Sequence, residues 1–352
     1  MKIIPHSRPT LGNEEINSLR KVFRSGILSS HAEVDAFQKE LSLFIGVKAG
    51  VAASSGTAAL FLALRALRIK KDDEVILPSF VCTAVLNAVL EAGAIPVLAE
   101  CAENDFNVSA QDIRKKTTRR TKAVIVPHMF GRPADMKAIT ALGLPVIEDC
   151  AQTLGVPCQG KNVGQWGAIA VCSFYTTKLL ATGEGGMVLS SERHYIDAVR
   201  DIIEYDEKDD LKPRFNFKMT DLQAAIGRVQ LKKLPGFLKK RAAVAKLYSE
   251  ALSNSGLTLP SASRERGHAF FRYVVTPVKN RDKALRAFEK RGISARKPLY
   301  KPLHRYLKLN GFPQAEERWH SSLSLPLYPS LERPEAERIA QTAARILRNE
   351  AA

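Results

Sequence analysis

Between Ala49 and Leu189 the chain alternates compact apolar runs with stretches whose apolar residues recur every three or four positions. The runs "GVAAS", "EVILP", "IPVLA", "AVIVPH", "PVIED", "AIAVCSF" and "GGMVLS" are nearly continuous in apolar character, as strands buried on both faces are. Between them, "TAALFLALRAL" and "CTAVLNAVLEAG" carry helical periodicity, the second closed by Gly93 as a C-terminal cap. This alternation predicts an α/β fold with a mostly parallel seven-stranded sheet and helices on its faces. After Met219 the texture changes. "TDLQAAIGRVQLKKLPGFLKKRAAVAKLYSEALSNSG" reads as helix interrupted at Pro235-Gly236. A smaller α/β region follows, with "HAFFRYVVTPV" and "SLSLPLYPS" as strands and "RDKALRAFEKRG" and "PEAERIAQTAARILRNE" as amphipathic helices. The predicted division is a large domain over 1–234 and a small C-terminal domain over 235–352, with the boundary inside a helix.

The length of 352 residues, with 45% apolar and 25% charged, suits a globular chain of two subdomains. The opening "MKIIPHSRPTLGNEEI" has no apolar signal region, and "VILPSFVCTAVLNAVL" is too short and too broken by Pro78 to span a bilayer, so a cytoplasmic protein is expected. Cys82, Cys101, Cys150, Cys158 and Cys172 are scattered, with no CxxC pair and no clustered histidines. They predict neither a disulfide framework nor a metal site. The net charge of +17 is spread along the chain, and its densest clusters, "RKKTTRRTK" and "KKLPGFLKKR", lack interleaved aromatics. Solvated helix faces explain them, and no nucleic-acid partner is expected.

Three strand ends carry chemistry. In open parallel sheets ligands sit beyond the carboxyl ends of the strands. "VAASSGTAAL" passes from strand to helix through Ser54, Ser55, Gly56 and Thr57, which suits either an N-cap or a phosphate held on free amides. In "PVIEDCAQTLG" two carboxylates, Glu148 and Asp149, follow directly on an apolar strand and need a cation or donor. In "SFYTTKLLATGEGGMV" Lys178 follows a buried strand and precedes Gly183, Gly185 and Gly186. Partial desolvation lowers a lysine's pKa and makes its amine a nucleophile. Amine, carboxylate and phosphate cradle on one sheet are the set that pyridoxal 5'-phosphate (PLP) needs: a Schiff-base former, a partner for the ring nitrogen and N–H donors.

These residues resemble the DegT-type (DegT/DnrJ/StrS) family of PLP-dependent nucleotide-sugar aminotransferases. The likeness runs from "SRPTLGNEEINSLRKVFRSG" through "SSGTAAL", "GAIPVLAE", "VPHMFGRPADM", "VIEDCAQTLG", "SFYTTKLLATGEGG" and "NFKMTDLQAAIGRVQL" to "LSLPLYPSL". It implies the aspartate-aminotransferase-like fold (fold type I). Carried over by position, Lys178 holds the cofactor covalently and shuttles a proton, Asp149 pairs with the pyridine nitrogen, and Gln152 reaches the ring hydroxyl. Gly56, Thr57, Ala58 and Ser173 match the phosphate site. Asn216 matches an asparagine that reaches the phosphate from the other subunit, which implies a homodimer with shared active sites.

The chain also departs from the family pattern. Its "RFNFK" has Arg214 and Lys218 where a glycine and a substrate-contacting arginine are usual. Cys82 aligns with a ring-stacking aromatic, with Phe80 two residues earlier, and His304 in "PLYKPLHRYL" matches a histidine near the sugar. The resemblance implies transfer of an amino group, with glutamate as donor, to a keto-sugar of a nucleoside-diphosphate sugar, in surface-polysaccharide or secondary-metabolite amino-sugar biosynthesis. Members with histidine at the lysine position act as sugar dehydratases; Lys178 favours transamination. The rival readings are another PLP reaction on this fold, and a regulatory or binding protein that lost turnover.

Overall fold

The computed structural model describes residues 3–348. Two helices lead, α1 (Asn13–Ser25) and α2 (Ala32–Ile45). The sheet-building stretch runs β1 (Ala49–Ala53), α3 (Gly56–Ala66), β2 (Glu74–Pro78), α4 (Thr83–Glu91), β3 (Ile95–Ala99), α5 (Ala110–Lys116), β4 (Thr121–Pro127), α6 (Met136–Thr140) and β5 (Val146–Asp149). It continues through a small hairpin of β6 (Pro157–Cys158) and β7 (Lys161–Asn162) to β8 (Ile169–Ser173), β9 (Gly186–Ser190) and α7 (Arg193–Ile203). The remainder holds α8 (Asp221–Leu252), β10 (Tyr273–Val275), α9 (Arg281–Glu289), α10 (Leu303–Tyr306), α11 (Pro313–Ser321), β11 (Leu323–Leu325) and α12 (Arg333–Leu347).

All seven predicted strands join one sheet in the order β1-β9-β8-β5-β4-β2-β3. Only β9 is antiparallel to its neighbours, β1 and β8. Residues 174–185 form no helix, so the chain turns back on β8 instead of crossing over. Both faces of the sheet are buried, and alternate residues serve opposite cores. Val75, Leu77, Ile147, Val171 and Val188 pack one side, while Ile76, Val146, Cys172, Met187 and Leu189 pack the other. Gly93 lies just past α4 with φ +76°, and its amide bonds the Leu90 carbonyl at 2.9 Å, as its predicted cap role requires.

The predicted interruption at Pro235-Gly236 is absent: α8 is continuous for 32 residues. Leu231, Leu234 and Phe237 face inward while Pro235 and Gly236 face solvent, so water reaches the backbone that proline leaves unpaired, and packing on the opposite side holds the axis. The helix begins with a Thr220/Gln223 capping box. The buried Asp221 carboxylate accepts from the amides of His31, Glu33 and Val34, capping α2 as well. Leu231 and Leu234 belong to a core beneath the sheet, whereas Ala245, Tyr248 and Leu252 join a separate core with Tyr273, Phe288 and Ile339. One helix therefore spans both cores. Ile4 enters the second core too, so the N-terminal segment packs with the C-terminal unit. The predicted strands of that unit are shorter than their apolar runs, three residues each, paired antiparallel. Among the described residues no helix is long and apolar enough to cross a membrane.

Candidate active site

A cavity of about 240 Å³ opens beyond the carboxyl ends of β1, β2, β5 and β8. Its wall includes Ser55, Gly56 and Thr57 after β1, Cys82 after β2, Asp149 and Gln152 at β5, and Ser173 and Lys178 at β8. Four loops far apart in sequence thus converge where strand-end geometry predicts.

The phosphate side is built from a close approach of two turns. Ser55 caps α3 through Oγ, which accepts from the Ala58 amide at 3.0 Å. Ala58 therefore spends its N–H inside the protein, and the amides of Gly56 and Thr57 are left without helical acceptors. A Cβ on Gly56 would lie 2.6 Å from Ser173 Cβ, and one on Gly186 would lie 2.3 Å from the Ser55 carbonyl. Glycine at these two positions lets β8, β9 and the α3 turn close around one spot, where the positive end of α3 and the Ser173 hydroxyl meet.

Lys178 sits on the turn joining β8 to β9. Phe174 and Thr176 donate to the Gly185 and Gly183 carbonyls at 2.8 and 3.0 Å, and buried Leu179 and Leu180 anchor the tip. The Lys178 amide bonds Tyr175 O at 2.8 Å, turning the side chain inward until Nζ lies 5.4 Å from the Phe271 ring centroid. Burial pushes the Lys178 amine below its usual range, against the pull of Asp149 and Cys82, and the Arg272 cation pushes the same way as burial. Burial raises the Asp149 carboxyl, opposed by the Ala151 amide that bonds Oδ1 at 3.0 Å and by Lys178 and His128. Gln152 is fixed through Oε1, which accepts from the Phe130 amide at 2.9 Å.

The two adjacent carboxylates have different fates. Glu148 is fully buried on the other face of β5, and its oxygens accept from His128 Nε2 and from the amides of Gly164, Trp166 and Gly167 at 2.7 to 3.1 Å. His128 Nδ1 accepts from the Ala134 amide at 3.1 Å, so Nε2 bears the hydrogen given to Glu148. His128, Glu148 and Cys150 bring potential metal ligands within 4.8 Å of one another. Their hydrogen bonds leave no free carboxylate oxygen or ring nitrogen for an ion, so the group is a structural network.

Other proposed site residues lie elsewhere. His304 does not line the cavity: Nδ1 contacts Ser79 Oγ at 2.5 Å, Nε2 contacts Glu316 Oε1 at 2.5 Å, and the ring stacks on Phe312. Both of its ring nitrogens are engaged within the protein. Lys218 Nζ lies 4.9 Å from the Tyr205 ring centroid, outside the cavity wall. Arg214 ties the Asp201 and Asp210 carboxylates together and so stiffens the loop after α7. Phe80 is fully buried against Phe106 and Phe130, which leaves Cys82 as the cavity-lining member of that pair. Asn216 is exposed and absent from the cavity of its own chain; its neighbours Phe215 and Phe217 turn inward onto Phe61. Sequence reasoning missed Tyr175 and Glu184, both in the cavity wall. Each stood in a quoted motif whose lysine and glycines drew the attention.

The residues present fit PLP on this geometry: a cradle that a Cβ would fill, an acid with an open edge, and a half-buried amine around one cavity. Fold and site together define a PLP-dependent aminotransferase of fold type I. A sequence profile described as the DegT/DnrJ/EryC1/StrS aminotransferase family matches residues 9–344, and the chain belongs to that family. It is 32% identical to the GDP-perosamine synthase of Vibrio cholerae, over 94% of this chain and 95% of that protein. It is 34% identical to the UDP-N-acetyl-3-dehydro-alpha-D-glucosamine 3-aminotransferase of Acidithiobacillus ferrooxidans, over 89% and 88%. Among solved structures, the aminotransferase TlmJ of Streptoalloteichus hindustanus superposes with a TM-score of 0.93 at 30% identity, covering 99% of this chain and 100% of that one. Its cofactor, as in these aminotransferases, is PLP.

Proposed function

We propose that this aminotransferase moves an amino group from glutamate to a keto-sugar carried on a nucleoside diphosphate, working as a cytoplasmic homodimer in the biosynthesis of polysaccharide or secondary-metabolite amino sugars. The observation that carries the reading is that buried Asp149 and half-buried Lys178 share the wall of one cavity, with the Gly56/Ser173 cradle beside them. Relatives named for GDP- and UDP-linked sugars support the substrate class.

When bound, PLP supplies an aldehyde that captures an amine and a ring that withdraws the electron pair left by a departing proton. Lys178 attaches the group through Nζ. Once free, the Lys178 amine would serve as the base that takes the proton from the substrate carbon bearing nitrogen, a role for which desolvation lowers its proton affinity. Asp149 would supply the carboxylate that keeps the pyridine nitrogen protonated; burial raises this carboxyl, and the Ala151 amide, Lys178 and His128 pull it back toward the ionised form. Gln152, fixed on the Phe130 amide, is placed to orient the ring hydroxyl. The amides of Gly56 and Thr57 and the Ser173 hydroxyl receive the phosphate. Cys82, in the cavity wall, would lie against the ring where an aromatic is common. Asn216 is exposed and its flanking phenylalanines face inward, so it is offered to a second copy, whose cradle it completes.

The test is incubation of the purified chain with glutamate and a panel of 3-keto and 4-keto nucleotide sugars. Amino-sugar nucleotide is expected from at least one, and deoxy-keto products without nitrogen would replace this reading with dehydration. Mixing Lys178→Ala and Asn216→Ala proteins tests the shared site. Mixed dimers recover activity absent from Lys178→Ala alone; no recovery contradicts a contribution from the partner.

A further inference from the structure

The net charge of +17 is divided unevenly between the two parts of the chain. Residues 235–352 hold 23 lysines and arginines against 10 acids, while residues 1–234 hold 30 against 26, so most of the excess falls on the smaller part. Its densest stretch is 279–309, where eleven basic residues meet two acids, Asp282 and Glu289. None of these cations serves the chemistry above.

The fold gathers the stretch into one surface. Lys283, Arg286 and Lys290 are exposed at positions i, i+3 and i+7 of α9, on one side of the helix. Arg286 and Glu289 share a groove of about 420 Å³ with Arg296, Lys297 and Tyr300 of the loop that follows. Beyond it α10 is pinned from within by buried Leu303 and by the His304 ring, held between Ser79 and Glu316, which leaves Arg305 and Tyr306 facing out. The Leu309 amide bonds the His304 carbonyl at 2.9 Å, so the next turn is fixed as well. Tyr300, Tyr306 and Leu309 are exposed by 83%, 40% and 44%, apolar groups held rigidly among lysines. Acids offset little of the charge. Asp282 pairs with Arg281 and Lys297, and Glu316 with Arg305; the other eight of the eleven cations make no ion pair among the described residues.

A face of this kind fits an anionic partner. A second copy docked about a two-fold axis would set like charge against like. Single-stranded nucleic acid wants open aromatic faces, but Lys301 Nζ lies 4.2 Å from the Tyr306 ring centroid and the Arg305 guanidinium 4.2 Å from that of Trp319, so cations already cover these rings. Leu309 offers a base no face at all. Tyrosines and a leucine flanked by long basic side chains match the boundary between headgroups and acyl chains instead.

We propose that this face docks on a bilayer carrying anionic phospholipid, with headgroup phosphates over the α9 cations and Tyr300, Tyr306 and Leu309 at the headgroup boundary. Neither amino donor nor sugar enters this assignment. The experiment is co-sedimentation of the PLP-loaded full chain with vesicles of phosphatidylcholine alone or with about 30% phosphatidylglycerol, whose negative surface attracts basic segments. Retention is expected on the anionic vesicles at about 0.05 M salt and is lost on the neutral ones and at about 0.5 M salt. Lys283→Glu/Arg286→Glu/Lys290→Glu should weaken retention by about tenfold or more, and Tyr306→Ser/Leu309→Ser by about threefold or more, with thermal midpoint and amino transfer unchanged. Arg114→Glu/Lys115→Glu/Arg119→Glu, the same charge change on the large domain, retains binding. No retention of the wild-type chain, unchanged retention in either face variant, or equal loss in the large-domain control overturns the proposal. Tighter binding to a single-stranded oligonucleotide than to the anionic vesicles at equal salt would overturn it in favour of nucleic acid.

Discussion

The two faces of β5 hold adjacent carboxylates with opposite fates. On one face Glu148 accepts four hydrogen bonds, from His128 and three amides, and every oxygen is satisfied by the protein. On the other, Asp149 accepts one, from Ala151, and turns its remaining edge to a cavity that also receives Lys178. Both are buried. The difference lies in completion: a buried polar group satisfied from within stabilises the chain, while one left partly open is held ready for a ligand. His304 belongs with Glu148, both of its ring nitrogens being used. Motif resemblance alone grouped His304 with the site. Hydrogen-bond accounting separates them.

This contrast is open to mutation. The largest expected effect is on the open face: Lys178→Ala should lower amino transfer by at least about 10³-fold, the range of losing a positioned base, with unchanged thermal midpoint of the cofactor-free chain. Retained turnover would remove Lys178 from its role. Next comes the closed face, where Glu148→Gln should destabilise folding by about 3 to 5 kcal/mol, since it leaves donors facing an amide in a dry site. Chemical denaturation measures this. Burial raises the Glu148 carboxyl, but His128 and the Gly164 and Gly167 amides more than reverse that and hold it below its ordinary value of 4.5. Its contribution is therefore present above pH 4.5 and lost as pH falls through the folded value, so Glu148→Gln should flatten the acid limb of the stability curve. An equally steep limb in the variant would assign acid sensitivity to other groups.

Asp149→Asn should do the converse, reducing amino transfer by about 10²-fold or more while leaving the cofactor-free protein as stable as before, because it removes a carboxyl that burial disfavours in its ionised form. Marked destabilisation would place Asp149 with Glu148. The smallest effect is Gly56→Ala, whose Cβ would press on Ser173. It should weaken PLP binding by about tenfold, in the range of one lost hydrogen bond to a charged group, measured by equilibrium titration of the cofactor absorbance.

All seven sheet strands were legible because strands buried on both faces must be apolar throughout, and that pattern survives in one dimension. Lys178, Asp149 and the Ser55–Thr57 turn were legible for a related reason, since each lies at or shortly after the end of such a strand, whereas Gln152 and Ser173 entered only through the family resemblance. Pro235 misled because local propensity argues for a break, and only packing of Leu231, Leu234 and Phe237 on the far side of the helix overrules it. The engagement of the His304 ring was not legible because its partners, Ser79 and Glu316, stand 225 and 12 residues away.

By itself the order of apolar runs and punctuating residues determined the fold class and the strand ends from which catalysis proceeds. Which of two neighbouring carboxylates faces the cavity, and whether a histidine's nitrogens are spent, were decided by tertiary structure alone. Those properties depend on the full set of hydrogen-bond partners around an atom, and that set is assembled from distant segments only when the chain has folded.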